Sequence, residues 1–291
     1  MRRVTAALIL LAALAAPRPA AAWGFDGHKY IMAAVIPRLP PAIRPFFLAN
    51  QTSIVEHTID PDLWRTAGWE QEPPRHFLDM DAYGPYPFTT VPRLEADAVA
   101  RHGRAFVDKN GTLPWRTEEI YGKLVEAFKQ TSPYARENIK FFSSVLAHYV
   151  SDAHVPFHAA VNYDGQLTRQ WGIHSRFESE LFQRYRQRLT VRPGPRVPVP
   201  NVRDLMFSTL TESFGFVSAV LEADEIAVAG RDTYDDGYYA LLFGRTRLVI
   251  ESRLAESIRV VDSVITAAWI EAGRPALPVQ ARRVPAKVRS R

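Results

Sequence analysis

The stretch His148-Tyr-Val-Ser-Asp152-Ala-His154-Val-Pro156-Phe-His158 puts three histidines and an aspartate into eleven residues. His148 and Asp152 are four apart, so a helix carries them on one face, one turn from each other. Pro156 cannot sit deep inside a helix without costing a hydrogen bond, so the helix ends or bends before it. Such a bend can swing His158 back toward the His148/Asp152 face. Neutral imidazole and carboxylate together are a donor set that Zn²⁺ accepts. The same residues also fit a buried histidine hydrogen-bonded to an aspartate, with the other histidines at the surface. The rest of the chain has to decide between the two.

The chain is otherwise read as mostly helical. His28 to Leu39 has helical spacing of apolar residues and stops at Pro40-Pro41, and 42–50 forms a short second helix. Residues 54–69 are less regular. Pro73-Pro74 and Tyr83-Gly-Pro-Tyr-Pro87 mark a region of turns. Further helices are expected over 94–109, ending at Asn110-Gly111, over 117–130, and over 134–152, with Phe141, Phe142, Val145 and Leu146 in the core. Residues 159–173 read as a loop and 174–189 as a helix. Residues 204–229 and 237–272 are two long helical patterns, with Trp269 and Ile270 packed near the end of the second. No internal repeat and no strand alternation is visible. The Pro-rich connector at 191–200 is read as a surface loop within one domain, because the histidines precede it and the closing helices follow it. The expectation is an all-α fold, a single multi-helix domain over 23–275 with a site in a cleft between helices.

Composition excludes several classes. With 291 residues and 47% hydrophobic content the chain has ample material for a buried core. Cysteine is absent, so there are no disulfides and no thiolate ligands; zinc would have to be held by His, Asp, Glu or backbone groups. Residues 1–22 read as a secretory signal: Arg2 and Arg3, an apolar run from Val4 to Ala16, then Ala20-Ala21-Ala22. Cleavage after Ala22 would make Trp23 the first residue of a periplasmic or secreted protein; an uncleaved anchor is the alternative. The formal charge of +5 is concentrated at the ends. Arg2, Arg3, Arg18 and, in a basic tail over 276–291, Arg282, Arg283, Lys287, Arg289 and Arg291 leave 28 basic against 31 acidic residues between them. The tail reads as disordered and solvated, with a transient membrane-surface contact as its other use. The body lacks the basic field of a duplex-binding domain.

Five of the eight histidines fall in informative places. His28 follows in Trp23-Gly-Phe-Asp-Gly-His28, and His76 follows Pro73-Pro74-Arg75. His148 and His158 lie in the opening stretch, and His174-Ser-Arg-Phe-Glu178 again sets His and an acid one turn apart. Asp62 sits in Pro61-Asp62-Leu-Trp-Arg65, with Asp60 as its competitor. An N-terminal Trp, an early His, Asp-x2-Arg, His-Phe, His-x3-Asp-x5-His and His-x3-acid occur in this order along the whole chain after residue 22. In that combination the sequence resembles the superfamily that joins bacterial zinc-dependent phospholipases C with single-strand-preferring nucleases of the S-one/P-one type.

The resemblance implies three zinc ions. Asp62, His76, His148 and Asp152 would hold one, and His158, His174 and Glu178 a second. The amine and carbonyl of Trp23, with His28 and the other oxygen of Asp152, would hold a third. The chemistry makes independent sense of such a layout: an α-amine of pKa near 8 can lose its proton to a metal, which would link export to metal loading. Clustered Zn²⁺ lowers the pKa of bound water and stabilises a leaving alkoxide. Asp62 is the candidate general base. Arg65 would pair with a carboxylate or hold a substrate phosphate. Asp26 would meet a cationic head group or cap the following helix. His57, His102 and His154 are assigned to surface, capping or supporting roles, with His154 near enough to hydrogen-bond a ligand.

The substrate indications divide. The five-residue step from Trp23 to His28 looks like the nucleases, and Glu178 in place of Asp looks like the phospholipases. Trp64, Tyr83, Tyr86, Tyr163 and Trp171 could stack on a base or cradle a choline. The expectation is an exported zinc-dependent phosphodiester hydrolase, phospholipase-C-like, acting on phospholipid or another phosphoester. The alternatives are a single-strand-preferring nuclease and a zinc-binding scaffold without turnover. No protein partner is expected.

Overall fold

Helices of twelve residues or more number six in the computed structural model, which describes residues 23–277. They are α1 (Gly24–Val35), α2 (Leu113–Lys129), α3 (Ala135–Asp152), α4 (Val202–Phe214), α5 (Val217–Val228) and α6 (Asp236–Glu271). Short α and 3₁₀ turns connect them, and there is no strand among the described residues. The fold is all-α and forms one compact unit, with no helix of the described residues long and apolar enough to cross a membrane.

Helix α3 occupies the centre. Every residue from Ser143 to Asp152 is buried, so its C-terminal half is enclosed on all sides, as expected of a core helix rather than a surface one. It packs against α1, α2 and α6. Its polar side chains in this half therefore sit in the interior, where each must find a partner. Helix α6 is the longest, 36 residues or about 54 Å at the usual rise, and is capped by Asp235, whose carboxylate accepts the Tyr238 amide at 2.7 Å.

The connector at 191–200 lies on this scaffold as a strap. Arg38 donates to the Gly194 carbonyl, Arg196 to Asp262 at 2.7 Å, and the Val197 amide to Ser263 at 3.0 Å. It is a surface segment of one domain, tied to the turn that follows α1 and to α6.

Several boundaries differ from the sequence expectation. The helix expected over 94–109 is two, Glu95–His102 and Arg104–Asn110, because Gly103 takes a left-handed φ of 84°. The pattern over 204–229 likewise divides at Gly215-Phe216 into α4 and α5. Helix α2 starts at Leu113 rather than 117, with Pro114 in the first turn, where its missing N–H costs nothing. Phe141 and Ile270 are exposed, 39% and 45%, not core. Residues 173–188 are helical throughout, as expected for 174–189, but the pitch changes along the run: α at Ile173–Ser175, a π turn at Arg176–Glu180, α at Leu181–Tyr185 and 3₁₀ at Arg186–Arg188. The signal sequence and nearly all of the basic tail lie outside the described residues; Leu277, within the expected tail, packs against the core.

Candidate metal centre

Six segments bring the polar residues together, His76 coming from the 3₁₀ turn Pro73–His76. The C-terminus of α3 supplies His148 and Asp152. The chain then turns through the 3₁₀ segment Pro156–Ala159, with Pro156 in its first turn. This turn seats His158 against the backbone of residue 76: His158 Nδ1 meets the His76 carbonyl at 2.6 Å, and the Leu78 amide donates to the His158 carbonyl at 2.9 Å. Helix α1 supplies His28, the helix Asp60–Thr66 supplies Asp62, and the π turn supplies Glu178, one turn beyond His174.

Donor atoms converge in three groups, each within 4.8 Å: His28 with His148 and Asp152; Asp62 with His76 and His148; and His158 with His174 and Glu178. Asp152 stands between the first two. Its Oδ1 lies 3.3 Å from His28 Nε2, and its Oδ2 lies 3.0 Å from His76 Nδ1 and 3.2 Å from His148 Nε2. His28 and His148 stack at 4.0 Å. In the third group His174 Nε2 is 2.8 Å from Glu178 Oε2.

The donors fit a cation. Asp62, Asp152 and Glu178 are fully buried carboxylates, and three buried carboxylates need compensating positive charge. Arg65 Nη2, 3.1 Å from Asp62 Oδ1, supplies part of it. Both oxygens of Asp62 and of Glu178, Asp152 Oδ1, both nitrogens of His28, and Nε2 of His76 and His174 make no hydrogen bond. Such atoms are rarely left unpaired in an interior unless something else satisfies them. His148 and His158 show how an ion would be accommodated: each holds Nδ1 against a backbone carbonyl, Thr58 at 2.8 Å and His76 at 2.6 Å, which leaves Nε2 to face the cluster. These buried His/Asp/Glu groups could hold metal ions.

Protonation follows the same geometry. Burial lowers the imidazole pKa of His158 to about 4 and that of His174 well below its usual value, so both are neutral at pH 7, as ligands must be. Burial opposes the charge on Asp152, but the neighbouring imidazoles, His148 first, outweigh it and hold the carboxyl well below the usual range. Burial and the nearby charges of Asp152 and Asp62 push Glu178 well up. Burial works against a proton on His76, yet Asp152 and Glu72 raise its pKa to about 9; a metal would displace that proton.

Trp23 lies at this centre too. It is buried, and its indole Nε1 donates to the Ser151 carbonyl at 2.9 Å, one residue before Asp152. The fit is tight: a Cβ on Gly27 would come within 2.9 Å of Trp23 Cβ, and one on Gly24, whose φ is +52°, would meet Ser179 beside Glu178. The role of its amine depends on cleavage at a position outside the described residues. Between the competing aspartates, Asp62 points inward and Asp60 outward, where it meets His57 at 2.9 Å. Arg65 reaches the centre through Asp62. Asp26 is exposed in the first turn of α1 and caps nothing; Trp23 occupies the N-cap position.

His154 does not support a ligand. It lies in the turn just past α3, with Nδ1 at the Val150 carbonyl, and burial with Arg253 nearby lowers its pKa to about 3. Tyr83 is buried, and Trp64 is half-buried and stacked on Trp69; Tyr86, Tyr163 and Trp171 are exposed.

Sequence reasoning missed Glu72. It is fully buried, and its Oε1 accepts the Tyr149 hydroxyl and lies 3.6 Å from His76 Nε2. Burial opposes its ionisation, but His76, Tyr149 and Arg75 outweigh that and hold its pKa at about 2. The signal was present: Glu72-x3-His76 is the acid–His spacing seen twice elsewhere, reversed. Also missed was Arg176, between His174 and Glu178, which bonds Trp171, Tyr238 and Asp224. No family model matches the chain, and no curated protein matches it.

Proposed function

We propose that the protein is an exported zinc-dependent phosphodiester hydrolase of the phospholipase-C-like kind, related to the superfamily its motifs resemble. The observation that carries this reading is the sharing of Asp152 between two donor groups, with Asp62 and Arg65 at the edge of one of them. Adjacent cation positions with an arginine beside them suit a substrate carrying a phosphodiester charge. Asp62, His76, His148 and Asp152 would hold one zinc, His158, His174 and Glu178 a second, and Trp23 with His28 and Asp152 a third. Zinc bound there would lower the pKa of water and offset charge on the phosphate oxygens.

The chain's own residues divide the remaining work. Asp62 accepts the proton of the attacking water on a carboxylate oxygen, having no hydrogen bond to lose. Arg65, within ion-pair distance of Asp62, orients that carboxylate and offers its guanidinium to a phosphate oxygen. The loop joining His158 to His174 presents Tyr163, Leu167 and Trp171, all more than half exposed, where the non-reacting part of a substrate can rest. A nuclease of the same superfamily is the second reading, favoured by the five-residue step from Trp23 to His28 on a helix already seated at the centre. A zinc-binding scaffold is the outcome if no turnover exists.

The test is a side-by-side assay of phosphatidylcholine, single-stranded DNA and RNA with zinc-loaded protein beginning at Trp23, together with Asp62→Asn. The expected result is diester cleavage that falls by about 100-fold or more in the variant, in line with the loss of one strong transition-state contact. Full zinc content with no cleavage of any diester would leave the scaffold.

A further inference from the structure

The histidines of the centre are not all turned the same way. His148 and His158 each give Nδ1 to a backbone carbonyl and present Nε2. His76 is reversed. Its Nδ1 faces the centre, 3.0 Å from both Asp152 Oδ2 and His148 Nε2 and 3.9 Å from Asp62 Oδ1. Its Nε2 points away, is buried, and makes no hydrogen bond; the nearest charged atom is Glu72 Oε1 at 3.6 Å. No backbone carbonyl serves this histidine as one serves the other two.

Glu72 is placed and held for that task. It sits at the N-cap of the 3₁₀ turn Pro73–His76, four residues before the imidazole. Its Oε2 accepts from Arg75 Nη1 at 2.8 Å, and its Oε1 accepts from the Tyr149 hydroxyl, with Arg116 Nε 3.4 Å from the same hydroxyl. The Tyr149 ring meets the His76 ring edge-on at 5.7 Å, which limits rotation of the imidazole. A carboxylate is a stronger acceptor than a carbonyl, so a ligand leaning on one is more basic toward its metal.

We propose that Glu72 is the positioning residue for His76: its carboxylate keeps the proton on Nε2 and so turns the Nδ1 lone pair toward Asp62, His148 and Asp152. Tyr149 and Arg75 fix the carboxylate, and the effect is confined to the ion that His76 would hold. The inference rests on the metal reading of the centre and not on the reaction proposed for it.

The experiment uses the full chain, stripped with chelator and reloaded with zinc or cobalt. Ion number is counted by native mass spectrometry, affinity is measured by chelator competition, and the cobalt ligand field is read from the visible spectrum. In Glu72→Gln, one ion binds about 10–100-fold more weakly, the others bind as in the unaltered chain, and the cobalt spectrum changes. Arg75→Ala, which removes the ion pair but keeps the carboxylate, stays within a few-fold of the unaltered chain. Glu72→Gln with unaltered affinity and spectrum overturns the proposal. So does an equal loss in both variants, which would make Glu72 only the acid of a structural ion pair. If Glu72→Gln does not fold, Tyr149→Phe decides: a selective, smaller loss at the same ion supports the proposal, and unaltered binding overturns it. An unaltered chain that takes up neither metal overturns the metal reading as well, whereas uptake without a Glu72 effect overturns this inference alone.

Discussion

The π turn carries Arg176 of one buried polar cluster and Glu178 of another, and the two clusters are built on different principles. Around Asp224 every strong group is answered from within the protein. Arg176 bonds the Trp171 and Gln170 carbonyls, the Tyr238 hydroxyl and Asp224, and Gln170 donates to Asp224 Oδ2 at 2.9 Å. Around Asp152 the charges outnumber the protein's answers: carboxylates and imidazole nitrogens face one another with atoms unpaired. Both are fully interior, so burial does not separate them. What separates them is whether the electrostatic account closes without an added cation.

The largest effect is expected from chelation. An ion present at about 1,000 times its dissociation constant contributes about 4 kcal/mol, so stripping the centre lowers the melting temperature by about 10 °C or more. Calorimetry with and without chelator, followed by zinc re-addition, measures it. An unchanged melting temperature would mean that the Asp152 cluster is closed without metal after all.

Next in size is Asp224→Ala, which strands the Arg176 guanidinium in the interior at a cost of about 3–5 kcal/mol. Denaturant unfolding should show this loss equally in metal-free and metal-loaded protein. A loss seen only with metal bound would join the two clusters into one unit.

The smallest effect concerns Asp79, whose Oδ1 is buried and unpaired like the donors of the centre but has no histidines converging on it. Burial, then the charge of Asp81, raise its pKa to about 7, with Lys109 opposing. Its folded pKa therefore lies above its unfolded one. The stability it allows is complete below pH 4 and is lost as pH rises through 7. Asp79→Asn should match the unaltered chain near pH 4 and exceed it by about 1–3 kcal/mol at pH 8, with or without chelator. Unfolding curves across that range check the slope. A gain that depended on metal would show that an unpaired buried atom alone, without converging histidines, marks a cation site.

Much of the centre was legible because its spacing is local. His148 and Asp152, and His174 and Glu178, are one turn apart in the sequence and meet one another in the structure. Pro156 ended α3 where its missing N–H required it. Other assignments failed for reasons outside local spacing. His154 has the same neighbours in sequence as the ligands, yet it lies in the turn just past the enclosed end of α3, with Arg253 of α6 nearby. Phe141 is apolar and helical but falls on the exposed side of α3. Glu72 was hidden behind Pro73-Pro74, which suggested only a turn.

By itself the sequence determined the helical class, the absence of thiolate chemistry and the inventory of imidazole and carboxylate donors, since these follow from residue type and from periods of three to four residues. The resemblance already pointed to Asp62 and to a shared Asp152, but only the tertiary structure showed Asp62 turned inward with Asp60 at the surface, Asp152 between two donor groups, and His76 reversed against Glu72. Those facts depend on contacts across 70 residues and more, as between His76 and His148 or Trp23 and Ser151. Contacts at that separation are set by how whole helices pack, and no local period encodes them.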